Sequence, residues 1–270
     1  MKKLWSCSFG IWAMLSIAEY NAESAYGTPT ESSTDTKKSK AVSEKFKFAH
    51  EAFPYYNSTH YNKYVSYERQ ITGSNVETAQ MLKRSKAVFK VIEPILKKHG
   101  IPDDFKYLAV LESGLNTDVT SSMRARGVWQ LMSVTAQAMG LKVNSEVDER
   151  LDLEKSTIAV CKLLKKHKRF FGTWTEALVA FNMGNTALYR FQRAQNNYND
   201  IYTLKMYTES AHVIYKVIAY KELFRNPAKY GYKVPSGSKG SALAARKSSL
   251  KPATHKMQVC STGVQLVCSR

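Results

Sequence analysis

From Pro102 to Gly114 the chain spells out one complete helix, and the polar residue near its end restricts what can be built around it. Proline suits a first helical position, Asp103 and Asp104 complement the positive end of the dipole, and Gly114 is a natural stop. Phe105, Leu108 and Glu112 are spaced i, i+3, i+7 and therefore share a face. That face is apolar except for a carboxyl group in the last turn. The dipole there is negative and water is scarce, so both effects disfavour the ionised form. A carboxyl group ready to donate a proton near neutral pH is what cleavage of an acetal or glycosidic bond requires. The ordinary alternative is a glutamate at a helix edge that simply reaches solvent.

The remaining periodicity is also helical. Residues 45–60 carry Phe46, Phe48, Phe53, Tyr55 and Tyr56 and read as a short helical stretch, while Tyr61–Ile71 fits either strand or helix. Asn75 caps a helix to Lys86, and Ala87–His99 repeats Val88, Val91, Ile92, Ile95 and Leu96 at helical spacing. Ser133 is placed to cap a short helix to Met139, Asp152 caps one through Phe170, and Thr175 opens another to Met183. Tyr207–Phe224 is the last long helix, closed by Arg225-Asn226-Pro227. Strand signals are sparse, which makes the fold class mainly α.

The ends of the chain differ from this middle. Met1-Lys2-Lys3 followed by the uncharged run Leu4–Ala18 has the build of a secretory signal, too short for a membrane span, with residues 1–25 removed on export. Residues 26–44 are rich in Ser, Thr and Lys and read as a disordered linker. Residues 233–270 hold seven Lys or Arg and no acid, and read as a basic tail. The whole chain of 270 residues has a formal charge of +18, which favours a polyanionic partner. Export argues against nucleic acid and toward an anionic wall polymer, with the tail as a means of envelope association. Cys260 and Cys268 are close neighbours that could pair in an oxidising compartment, whereas Cys161 sits inside a helical pattern as a small buried hydrophobe. No CxxC pair or HExxH motif occurs, and the E-x-x-H spacing of Glu209 and His212 lacks the second copy that a di-iron bundle needs. No metal or other cofactor is expected.

Three short motifs accompany the acid. Glu112-Ser113-Gly114 turns the chain just beyond it, Gly127-Val128-Trp129-Gln130-Leu131-Met132 offers an amide, and Phe181-Asn182-Met183-Gly184 places another amide at an apolar helix end. With Ser121, Thr135-Ala136, VDERLD at 147–152, Glu209-Ser210 and NPAKYGY at 226–232, they form a co-linear set. This set resembles the lysozyme-like lytic transglycosylases, specifically the membrane-bound murein transglycosylase D type, over about residues 86–232.

The resemblance implies a lysozyme-like (goose-type, SLT) helical catalytic domain at 100–232, preceded by an N-terminal helical region at 45–99. It implies a peptidoglycan substrate, with Glu112 as the single catalytic acid and Ser121, Gln130, Met132, Phe181, Asn182 and Glu209 around the sugar. The sequence is compatible with one carboxylate, since between Asp104 and Glu146 the only acids are Glu112 and Asp118. Four positions depart from the family's pattern: Phe181 replaces a tyrosine, Met183 a small residue, Arg124 a glycine and Val213 a tyrosine. Two other readings stay open on the same fold. One is a non-catalytic peptidoglycan-binding protein. The other is a hydrolytic muramidase, with Asp118, Glu176 or Glu209 as the second carboxylate.

Overall fold

The computed structural model describes residues 46–73, 75–198, 200–205 and 212–233. The signal, the linker, nearly all of the basic tail, Cys260, Cys268, Glu209 and Ser210 lie outside these residues. A small hairpin comes first, with β1 (Lys47–Phe48) antiparallel to β2 (Glu51–Ala52). Among the described residues eight α-helices follow: α1 (Ser58–Thr72), α2 (Asn75–Lys98), α3 (Lys106–Ser113), α4 (Ser133–Ala138), α5 (Leu153–Phe171), α6 (Trp174–Met183), α7 (Asn185–Ala194) and α8 (Val213–Arg225). The mainly α class holds. None of the described helices is long and apolar enough to cross a membrane.

The hairpin corrects the expectation of a helix at 45–60. Ala49 and His50 both take positive φ, 53° and 68°, the two-residue geometry that matches strand twist. Phe46 and Phe48, buried two apart, follow a strand period. Phe46 stacks on Tyr55 at 5.0 Å, and Phe48 meets Phe105 edge-on at 5.0 Å. Asn57 then starts α1, its side chain accepting from the Thr59 and His60 amides.

Helix α2 runs unbroken where two segments are expected. Met81, Val88, Ile92 and Leu96 keep a single buried face along it, and Pro94 falls on the exposed side. Helix α4 starts at Ser133, but Met132 occupies the capping position and no side chain caps it. Asp152 does cap α5 through the Lys155 amide. Helix α6 begins one residue early, because Thr173 and Glu176 form a reciprocal capping box. Cys161 is fully buried, as expected.

The core is centred on α8, whose Val213, Ile214, Tyr215, Val217, Ile218 and Leu223 are all buried. It packs against α1, α3 and α6. Two carboxylates bind the hairpin into this core. Asp104 accepts from the Ala49 amide at 2.8 Å and from Lys221 Nζ at 2.7 Å, and the same ammonium donates to the Lys47 carbonyl. Glu51 accepts from the Trp174 and Thr175 amides, at 2.6 and 2.8 Å, and so caps α6 from a distant strand. At the other end NPAKYGY folds back as a clamp. Tyr230 donates to Glu68, Lys229 pairs with Glu222 at 3.0 Å, and Tyr232 donates to the Thr72 carbonyl at 3.0 Å.

Candidate active site

Glu112 sits in the last turn of α3. The chain leaves that turn through two successive left-handed residues, Gly114 (φ 59°) and Leu115 (φ 61°), and the Gly114 amide donates to the Val110 carbonyl at 2.8 Å. Arg84 of α2 donates to the Gly114 carbonyl at 3.0 Å, satisfying a group the helix end leaves open. Beneath the acid, Phe105 and Leu108 are completely buried, while Glu112 itself stays partly accessible. Its carboxyl group is pushed up to about 7, mainly by burial. A hydrogen bond with Asn182 and the charge of Lys216 oppose this rise.

Asn182 reaches the acid because α6 ends there. Gly184, at φ 87°, breaks the helix two residues later and its amide still closes on the Ala180 carbonyl. Phe181, next to Asn182, is partly buried against the core. Glu112 and Asn182 are therefore the pair of expected site residues brought into direct contact.

The loop from Val119 to Met132 is held by contacts of its own. The Ser121 hydroxyl oxygen accepts from the Ala125 amide at 2.9 Å, tightening a turn that Arg126 bridges to both Thr120 and Leu131. Gln130 adopts φ 48°, a conformation uncommon for a residue with a side chain. Its amide nitrogen donates to the Gly127 carbonyl at 2.8 Å and the Val119 carbonyl at 3.2 Å. In this arrangement Ser121 and Gln130 brace the loop, and Met132, 42% exposed, follows it. Trp129 anchors the loop from below, fully buried, its Nε1 donating to Thr157 Oγ1 at 2.9 Å.

The VDERLD segment supplies the loop's second support. Arg150, buried, grips Asp148 with two donors at 2.8 and 2.7 Å and donates to the Arg124 and Leu131 carbonyls at 2.9 and 3.0 Å. Arg150 and then Arg126 hold the Asp148 carboxyl down to about 2. Gly127 has to be glycine: at φ 78°, a Cβ there would lie 2.1 Å from the Arg150 carbonyl oxygen. Arg124, at φ 63°, also stands in the left-handed region. The glycine that the family pattern places there is thus a backbone preference, and its loss costs about 1–2 kcal/mol of local strain.

Of the alternative second carboxylates, Asp118 is exposed on the loop, and Glu176 is engaged by Thr173 and by Gln192 at 2.8 Å. Glu209 lies outside the described residues. No group of His, Cys, Asp and Glu among the described residues could hold a metal ion. Sequence reasoning missed Lys216 and the structural work of Asp148 and Arg150. Paired charges inside VDERLD were a signal for the latter; Lys216 is recognisable only once α8 is packed against α3.

Residues 90–204 match the transglycosylase SLT domain. Over 153 residues the chain is 28% identical to the membrane-bound lytic murein transglycosylase D of Escherichia coli (strain K12), covering 55% of this chain and 34% of that protein. The protein of the same name in Escherichia coli O6:H1 (strain CFT073) gives the same figures. A protein of Alteromonas sp. (strain M-1) named for tributyltin chloride resistance is 30% identical over 96 residues, 35% of this chain and 46% of its own length. The chain thus spans about a third of the length of the Escherichia coli relatives it matches. Glu112, the Gly127–Met132 loop and the Asn182 helix end all lie inside the stretch, residues 90–204, that matches the transglycosylase SLT domain.

Proposed function

We propose that the protein is an exported peptidoglycan lytic transglycosylase that cuts the β-1,4 bond between N-acetylmuramic acid and N-acetylglucosamine, leaving 1,6-anhydromuramic acid ends. Glu112 first gives its proton to the bridging oxygen as the C1–O bond breaks. The resulting carboxylate then takes the proton of the muramyl C6 hydroxyl as O6 bonds to C1. The acid is regenerated and no water is consumed. One group can serve as both acid and base only if its proton affinity lies near the working pH. The observation that carries the reading is the Glu112–Asn182 pair, a carboxyl poised near neutrality and oriented by an amide. Ser121, Gln130, Met132, Phe181 and Glu209 are proposed to line the sugar sites, and the basic tail to associate with the anionic envelope.

Digestion of purified peptidoglycan, followed by mass analysis of the muropeptides, tests this. Wild-type protein should release anhydro ends, lighter by one water than reducing ends, and Glu112→Gln should release none. Reducing ends would mark a muramidase, and intact glycan a binding protein.

A further inference from the structure

Two helices that shape the surroundings of Glu112 lie outside residues 90–204: α8, which packs against α3, and α1, which packs along α8. Lys216 is in the first turn of α8 and is only partly exposed. Its ammonium stands 5.1 Å from the centroid of the Tyr67 ring, a cation–π seat provided by α1. The Tyr67 hydroxyl is itself fixed by a 2.8 Å hydrogen bond with His212 Nδ1, and the two rings lie 5.6 Å apart. His212 in turn meets Tyr215 edge-on at 6.1 Å. A lysine held in this way acts from one place instead of sampling solvent.

Its charge acts on the Glu112 carboxyl. The neighbour contributed by α6 is the neutral Asn182. Several other charged groups on the elements against α3 have partners of their own. Arg84 bonds the Gly114 carbonyl, Glu93 and Asp103 pair with Lys106, and Asp104 pairs with Lys221.

Resting on the assignment of Glu112 as the acid, we propose that Lys216, seated on Tyr67, is a positioning residue for the Glu112 proton, and that α1 is thereby part of the working site. Between its two proton transfers Glu112 must exist as a carboxylate in a water-poor setting. A fixed ammonium stabilises that species without bonding to the sugar, and the Tyr67 ring helps to keep it in place.

The test compares pH–rate profiles for anhydro-end release by the full chain and by Lys216→Met, Lys216→Arg, Tyr67→Leu and Tyr67→Phe. Lys216→Met should move the alkaline limb to higher pH, by up to about one pH unit, and lower kcat several-fold with little change in KM. Lys216→Arg should restore the limb. Tyr67→Leu, which removes the seat, should move it in the same direction as Lys216→Met, and Tyr67→Phe, which keeps the ring, should move it less. A limb unmoved in Lys216→Met, or equal losses in the Met and Arg variants, would overturn the proposal. Titration of the carboxyl carbon of 13C-labelled Glu112 gives the same answer without turnover; an unchanged midpoint in Lys216→Met sinks the idea. Activity surviving in Glu112→Gln would instead remove the assignment of the acid, and is read separately.

Discussion

Under the proposed mechanism Glu112 meets two conflicting demands, since the reaction wants a protonated acid and the fold must tolerate its charge. Burial raises the carboxyl from an ordinary value near 4.5 to about 7. The folded state therefore binds the proton more tightly than the unfolded chain does. Stability is unaffected below about pH 4.5 and falls as pH rises toward 7, where the ionised group becomes a cost of about 1–3 kcal/mol, allowing for its partial exposure. Glu112→Gln should remove this cost while keeping an oxygen for Asn182. Its melting temperature should exceed that of the wild type at about pH 8, and the two should converge at about pH 4. A gap independent of pH would show that the carboxyl is not strained in the folded protein. With Glu112 as the proposed acid, the same midpoint predicts that wild-type turnover declines above about pH 7, as that group loses its proton.

At the scale of elements, the Val119–Met132 loop is as much a product of VDERLD as of its own sequence. Arg150→Met would remove the side-chain donor to the Arg124 carbonyl, leave the Leu131 carbonyl with only the Arg126 amide, and leave Asp148 with Arg126 and the backbone amide of residue 150. Losing one partner of such a buried pair costs about 3–5 kcal/mol. The Asp148 carboxyl is held below its unfolded value, so its contribution is full above about pH 4 and is lost as pH falls toward 2. Urea denaturation should therefore show a large deficit for Arg150→Met at neutral pH that narrows at about pH 2–3. Much of the layout was readable in the sequence. The α3 face, its Gly114 stop and the Asp152 cap follow from local chemistry that the packing does not override. The hairpin was not, because five aromatics in eleven residues, Phe46 to Tyr56, satisfy several periods and the left-handed Ala49-His50 turn decides among them. Helix α7 escaped because its polar residues outnumber its buried ones, Leu188 and Gln192. At the candidate site Glu112 and Asn182, which the fold brings together, were legible as motif residues. Lys216 was not, since a lysine on a helix is ordinarily a solvated side chain and Tyr67, on whose ring it sits, is far away in sequence.

For the whole molecule, the matched SLT stretch and the folding unit are different objects. Helix α8 lies beyond residue 204 and carries more fully buried apolar side chains than any element it packs on. One flank of it is covered by α1, through the hydrogen bond of His60 with Tyr215 at 2.8 Å and the completely buried Tyr64. The Asp104–Lys221 pair ties α8 to the hairpin, and the NPAKYGY clamp ties its end to α1 through Glu68 and Thr72. Residues 46–73 therefore belong to the core that the SLT domain needs, even though they precede the matched residues. Removing them would expose a strip of α8 worth several buried aromatic and aliphatic side chains, each about 1.5–3 kcal/mol, against a total stability of about 5–15 kcal/mol. A chain of residues 75–233 should then fail to show a cooperative thermal transition by circular dichroism, whereas residues 46–233 should melt as one unit. If the shorter chain melts sharply and still releases anhydro ends, α1 is an accessory to the domain and the seat it gives Lys216 is dispensable.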